Sequence, residues 1–342
     1  MKRFSCRCGE QIFFENTECL ACGTTIGFDP ATHNLLSLLT IDGGVLADSA
    51  GRRFRHCKNR LDFSNCNWLV TVEDRDAYCV SCRLNRTIPN LTAPANQEYW
   101  NSLEVAKRRL LFSLLELGLP IQSKARGWPF GLAFDFIEDR RGNPAVEEER
   151  VVTGHEGGII TINVTEADDV LRAMARKHMN EQYRTLLGHL RHESGHYYFD
   201  YLINDDDALN AFRSLFGDER SDYDAALEGY YGSGPAADWR DRHLSAYAAA
   251  HPHEDWAETW AHYLHITDCL QTAAAHELIR LDDEPFLVET WMDDWRRFAV
   301  VLNELNRSMG LRDAYPFVIN DVVTEKLRFI HLRLAGVRRA AS

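Results

Sequence analysis

His192 and His196 stand four residues apart in the run His192-Glu-Ser-Gly-His196. If the run is helical, one turn brings both imidazoles to the same face, where two neutral ring nitrogens can grip a zinc ion about 2 Å away. Glu193 then falls beside the coordination position that stays open for water, which is the place of a general base. The helix is expected over about 180–203, because Tyr183, Leu186, Leu187, Leu190, Tyr197 and Tyr201 recur as one buried stripe. A histidine pair beside such a stripe is costly to desolvate without a partner, which favours ligands over a histidine-rich surface helix.

A catalytic zinc needs a third protein ligand, and Leu202 occupies the position six residues beyond His196 where an extended motif would carry histidine. The segment His251-Pro-His-Glu-Asp-Trp-Ala-Glu-Thr-Trp-Ala-His262 can supply it. Pro252 suits a first helical position, and Glu254 and Glu258 then project from one face a turn apart. Two carboxylates so placed imply two separate jobs. His262 and His265 lie further along the same helix and are expected to pack or face solvent. His155 reads as a loop histidine ahead of a strand, and Cys269 as a small buried hydrophobe.

Eight of the nine cysteines lie before residue 83. Cys6-x-Cys8 with Cys19-x-x-Cys22 makes two knuckles that can place four thiolates around one zinc, and Cys57, Cys66 and Cys79-x-x-Cys82 form a second set. A segment of about 90 residues with few long apolar runs needs such a staple to fold. Four thiolates leave no position for water, so both of these zinc ions are expected to be structural. Arg52, Arg53, Arg55, Lys58 and Arg60 form a local basic cluster in the same segment, read as a solvated loop or a contact for an acidic partner or nucleic acid.

The elements that must position the histidines follow a composition break. Thr87-Ile-Pro-Asn-Leu-Thr-Ala-Pro-Ala-Asn96 interrupts both helix and strand patterns, so residues 1–90 are expected to form a zinc-ribbon domain and 91–342 the domain that does chemistry. In the latter, Leu103, Val105, Ala106, Leu110, Leu111, Leu114 and Leu115 mark a long amphipathic helix from Gln97 to about Leu117. Phe130–Phe136 and Gly158–Val164 read as strands, a helix opens at Thr165, and further helices are expected at 206–216, 252–270, 285–309 and 318–332. The fold class is α+β and helix-dominated.

The formal net charge is −13 and the hydrophobic content 45%. The acidic excess lies outside the cysteine-rich segment, which makes the larger domain a poor match for phosphate backbones, and nucleic acid is not expected as its partner. No apolar run reaches the roughly 18 residues of a membrane span, and the first residues lack a secretory core, so a cytoplasmic location without membrane contact is expected.

On HESGHYYFDYL and HPHEDWAETWAHYLH the chain resembles the gluzincin metallopeptidases, and with its N-terminal ribbon the bacterial zinc-binding metallopeptidase family. The resemblance implies a minimal gluzincin-like zincin domain with one catalytic zinc beside the two structural ones. It implies Glu254 as third ligand and Glu258 as the carboxylate that orients His192 or His196, with the reverse assignment open. Tyr247, seven residues before Glu254, is similar in placement to a tyrosine aimed at the oxyanion of the intermediate, although ordinary aromatic packing explains it as well. The function so implied is hydrolysis of amide bonds in a peptide or protein by a zinc-activated water with Glu193 as base. The rival reading is a catalytically silent docking or adaptor protein, whose ribbon binds a protein or nucleic-acid partner.

Overall fold

The structure is a computed structural model that describes residues 2–128, 130–140, 144, 146–148, 150–178, 185–280 and 288–341. The chain forms two compact units, Met1–Arg172 and Ala173–Ser342. Strands β1 (Phe4–Ser5) and β2 (Gln11–Ile12) make a small hairpin that presents the first cysteine pair. A meander follows of β3 (Thr25–Asp29), β4 (Asn34–Thr40), β5 (Leu46–Ala47), β6 (Arg53–His56) and, after helix α1 (Lys58–Phe63), β7 (Leu69–Thr71). Its strands are antiparallel, and Leu38, Leu46, Phe54 and Leu69 pack on one side.

Strand β8 (Asn85–Thr87) leaves the second cysteine set directly, and after α2 (Asn96–Glu116) come β9 (Ala133–Ile137), β10 (Gly154–Glu156) and β11 (Ile159–Asn163). These four strands form one mixed sheet in the order β10-β11-β9-β8. The predicted strands thus appear at both places, and His155 lies within β10, where its Nε2 accepts from the Gly158 amide at 3.1 Å and braces the hairpin turn. Helix α2 buries Trp100, Leu103, Leu110, Leu111, Phe112 and Leu114, and Phe112 meets Phe14 edge-on at 5.2 Å. The composition break near residue 90 marks the end of the cysteine-rich segment. Packing joins α2 and the mixed sheet to that segment, because β8 pairs with β9 and Phe112 enters the ribbon's aromatic cluster.

Much of the basic cluster is satisfied internally. Arg52 pairs with Asp29 and Asp48, Arg55 donates to backbone carbonyls of Asp74 and Asp76, and Lys58 meets Asp62.

Helix α3 (Asp169–His178) runs across the boundary between the two units. The second unit continues with α4 (Leu186–Leu202), α5 (Asp206–Phe216), α6 (Tyr223–Ser233), α7 (Trp239–Arg242), α8 (Pro252–Ala275), α9 (Val288–Ser308) and α10 (Asp321–Ala341). The expected start of α4 near residue 180, Tyr183 included, and residues 285–287 at the expected start of α9 lie outside the described residues. Helices α4 and α8 form the centre, with Trp256, Trp260, Tyr198 and Phe212 wholly buried around them. No helix of the described residues is long and apolar enough to cross a membrane.

Candidate metal centre

Helix α4 starts where Thr185 accepts the Gly188 amide at 2.9 Å, an N-cap that supplies a partner for an otherwise orphaned donor. Helix α8 starts at Pro252, with His251 accepting the His253 amide at 3.1 Å through Nδ1. Glu254 therefore sits in the first turn, where the helix dipole favours a carboxylate. Two of the three residues between the histidines, Ser194 and Gly195, set how closely the helices approach. Trp260 donates its indole N–H to Ser194 Oγ at 3.0 Å, and Trp256 donates to the Gly195 carbonyl at 2.8 Å. A Cβ on Gly195 would lie 2.9 Å from the Ala257 Cα and 3.0 Å from the Trp260 ring, so only glycine permits this contact. Gly195→Ala is expected to cost about 1–3 kcal/mol by overpacking. That predicts a fall in melting temperature of about 2–4 °C per kcal/mol, together with weaker metal retention, read by thermal unfolding and zinc content. An unchanged melting curve would show that the helices can separate at no cost.

The close crossing brings His192, His196 and Glu254 together. The two histidine Nε2 atoms are 3.2 Å apart, His192 Nε2 is 3.0 Å from Glu254 Oε2, and His196 Nε2 is 3.5 Å from Glu254 Oε1. Ligands about 2.0–2.1 Å from one tetrahedral zinc lie about 3.3 Å from each other, so the spacing fits a shared ion. On the other side of the ring, His192 Nδ1 lies 2.9 Å from Glu258 Oε1, and Ser245 donates to Glu258 Oε2 at 2.7 Å. With Nδ1 carrying the proton to Glu258, Nε2 turns its lone pair toward Glu254, an arrangement that needs a cation between them. Burial alone would pull the His192 pKa down, yet its hydrogen bonds to Glu254 and Glu258 raise it well above the usual value. Two carboxylates around one imidazole favour a positive charge there, a proton or a metal ion, and the nitrogen and oxygen donor set suits zinc. Of the two candidate carboxylates, Glu254 faces the shared point and Glu258 backs His192.

Glu193 is buried beside His192, and its carboxylate takes no hydrogen bond among the described residues. Tyr247 lies in a short turn, Tyr247–Ala249, and its ring sits over His192 with centroids 6.0 Å apart. Tyr223, at the start of α6, donates its hydroxyl to Glu254 Oε1 at 2.6 Å. Burial, reinforced by the charge of Glu254, raises both phenols well above the usual tyrosine range, so both keep their protons at neutral pH. Sequence reasoning missed Tyr223 and Ser245. Neither stands at a helical spacing from the motifs, and only tertiary folding brings them in. His262 and His265 are both buried, His262 against the Tyr315 hydroxyl at 2.6 Å and His265 against Arg191, so they pack rather than face solvent. Cys269 is half-buried.

In the first unit the cysteines gather as two sets, Cys6, Cys8, Cys19, Cys22 and Cys57, Cys66, Cys79, Cys82, with each set's sulfurs within 4.8 Å of one another. Sulfur separations of 3.7 Å for Cys6 to Cys22 and Cys8 to Cys19, 3.6 Å for Cys66 to Cys79 and 3.7 Å for Cys66 to Cys82 recur across them. Four thiolates about 2.3 Å from one tetrahedral zinc would be about 3.8 Å apart, so these sets also fit the ion. The second set is wholly buried, and the Arg108 guanidinium lies near enough to feel the charge of Cys66, Cys79 and Cys82.

Residues 96–333 match the family model described as "Putative zinc-binding metallo-peptidase", and residues 3–93 match a zinc-ribbon domain. Uncharacterized proteins of Mycobacterium bovis and Mycobacterium tuberculosis are 43% identical over 340 residues, which covers 97% of this chain and 94% of each relative. No solved structure matches the chain. With its α+β architecture, its paired cysteine sets and its converging histidines and glutamate, the chain belongs to the zinc-binding metallo-peptidase family that this description names, and carries an N-terminal zinc ribbon.

Proposed function

We propose that the second unit hydrolyses amide bonds in peptide or protein substrates. In this reading His192, His196 and Glu254 hold one zinc ion, each cysteine set holds another, and Glu193 is the general base. The observation that carries it is three lone-pair donors converging on one point, with an uncommitted carboxylate and two protonated phenols beside them. Bound there, zinc would polarise a carbonyl and make water more acidic. Glu193 takes the proton of the attacking water at its carboxylate and returns it to the leaving amine nitrogen. Tyr223 and Tyr247 hold hydroxyl protons, and whichever reaches the substrate's carbonyl oxygen offsets its developing negative charge. Glu258, fixed by Ser245, keeps the His192 ring in the tautomer that aims Nε2 at the metal.

The test joins a metal count to an assay. Purified full-length protein is expected to carry three zinc ions per chain and to cleave members of a quenched-fluorescence peptide library. A chelator that removes one zinc should abolish cleavage, and added zinc should restore it. Three bound ions without hydrolysis of any pool would overturn the peptidase reading. Two ions, both lost with the cysteine sets, would favour the docking protein instead.

A further inference from the structure

Asp255 and Lys326 are buried to 0% and 2% exposure, yet neither belongs to the metal set. Lys326 Nζ donates to Asp255 Oδ2 at 2.5 Å and to the Arg242 carbonyl at 2.7 Å, and His243 Nδ1 lies 3.1 Å from the same Asp255 oxygen. The other oxygen, Oδ1, is buried without a hydrogen-bond partner among the described residues. An ion pair placed so deep loses several kcal/mol of hydration, and a well-packed apolar pair of the same volume would often serve stability as well. Holding a fold together is therefore a weak account of it.

The pair's partners suggest another role. It ties three pieces of chain together: α8 one residue past Glu254, α10, and the segment that leaves α7. Asn320 just ahead of α10 adds a bond to the Arg240 carbonyl at 2.9 Å on the same segment. That segment goes straight on to Leu244, which is buried, to Ser245, which holds Glu258, and to Tyr247, which covers His192. The Ser245 hydroxyl also accepts the Ala248 amide at 3.1 Å, so its orientation depends on where this backbone lies. A continuous line of contacts runs from α10 through residues 242–245 to Glu258 and ends at His192 Nδ1.

We propose that Lys326 and Asp255 are positioning residues for the metal centre: they anchor segment 242–247, and Ser245 passes that anchoring to Glu258 and thence to the His192 ring. This rests on the assignment of His192 as a zinc ligand and not on the peptidase chemistry. Outer partners of ligating histidines typically change metal affinity by about 10–100-fold when lost.

The experiment uses full-length zinc-loaded protein, with the affinity of the most weakly held ion measured by competition with a graded chelator. Lys326→Met should weaken that ion by about 10–100-fold and Ser245→Ala by about 10-fold. Lys326→Arg should recover most of the affinity, since it keeps the charge and a donor. The Lys326→Met/Ser245→Ala double variant should be no weaker than Lys326→Met alone, because both act along one line; a purely structural role predicts losses that add. If Lys326→Met does not fold, His243→Ala removes the segment's own contact to Asp255 and must weaken the same ion several-fold. Wild-type affinity in whichever variant folds, or additive losses in the double variant, overturns the proposal. Wild-type protein that binds the ion yet cleaves no peptide leaves this proposal standing and removes only the peptidase reading.

Discussion

Glu193→Gln is expected to keep its full complement of zinc while turnover falls by about 10³-fold, within the range usually lost with a general base. The substitution is nearly isosteric and adds no charge to a buried helix face, so α4 should keep its packing against α8. Its amide oxygen can still accept a hydrogen bond from water, but it cannot take the proton away. The three metal-facing atoms belong to other residues, so their separations of 3.0 to 3.5 Å should persist. Measuring kcat/KM beside zinc content separates the two effects. Because the base acts on the reacting proton and not on substrate binding, the loss should appear in kcat with KM little changed. A variant that retains its rate with bound zinc would strip Glu193 of its role. One that loses both zinc and rate would place Glu193 among the groups that hold the ion.

Cys79→Ser should have the second large effect, on folding instead of rate. Cys57, Cys66, Cys79 and Cys82 are all buried, and the short helix and strand between them are held by those thiolates together with a small apolar cluster of Leu38, Leu46, Phe54 and Leu69. Structural zinc in small modules contributes apparent binding free energies of about 10–16 kcal/mol, more than the total stability of many domains. Losing one thiolate should therefore release that ion and unfold the ribbon around α1 and β7, which the second cysteine set brackets, and β6, which ends just before Cys57. Zinc content should fall by one per chain, and the amide protons of residues 53–87 should lose protection from exchange. A Cys79→Ser protein with unchanged zinc and unchanged exchange would mean that this set is not a metal site.

Much of the centre was legible because helical spacing is a local property. His192 and His196 at i and i+4, and Pro252 leading Glu254 and Glu258, follow from one period of 3.6 residues. The cysteine knuckles are equally local. The choice between Glu254 and Glu258 was not legible, since it depends on the rotation of α8 against α4. That rotation is fixed by Trp256 on the Gly195 carbonyl and Trp260 on Ser194. Tyr223 lies 31 residues from Glu254 and reaches it only through the path of the chain after α5. The Lys326 to Asp255 pair spans 71 residues and leaves no pattern in either segment. The end of the cysteine-rich segment was visible in its prolines, but the packing of α2 against it was not, because an amphipathic stripe does not say which surface it will cover.

The two kinds of metal site differ in their atoms. The ribbon sets are built wholly of sulfur, whereas His192, His196 and Glu254 offer nitrogen and oxygen. Peroxide or hypochlorous acid attacks thiolates far faster than imidazole or carboxylate, and Cys8 and Cys22 are exposed. Oxidation would therefore be expected to release zinc from the exposed first cysteine set before it reaches the nitrogen and oxygen donors between α4 and α8, leaving the chain whole but its N-terminal knuckles unstapled.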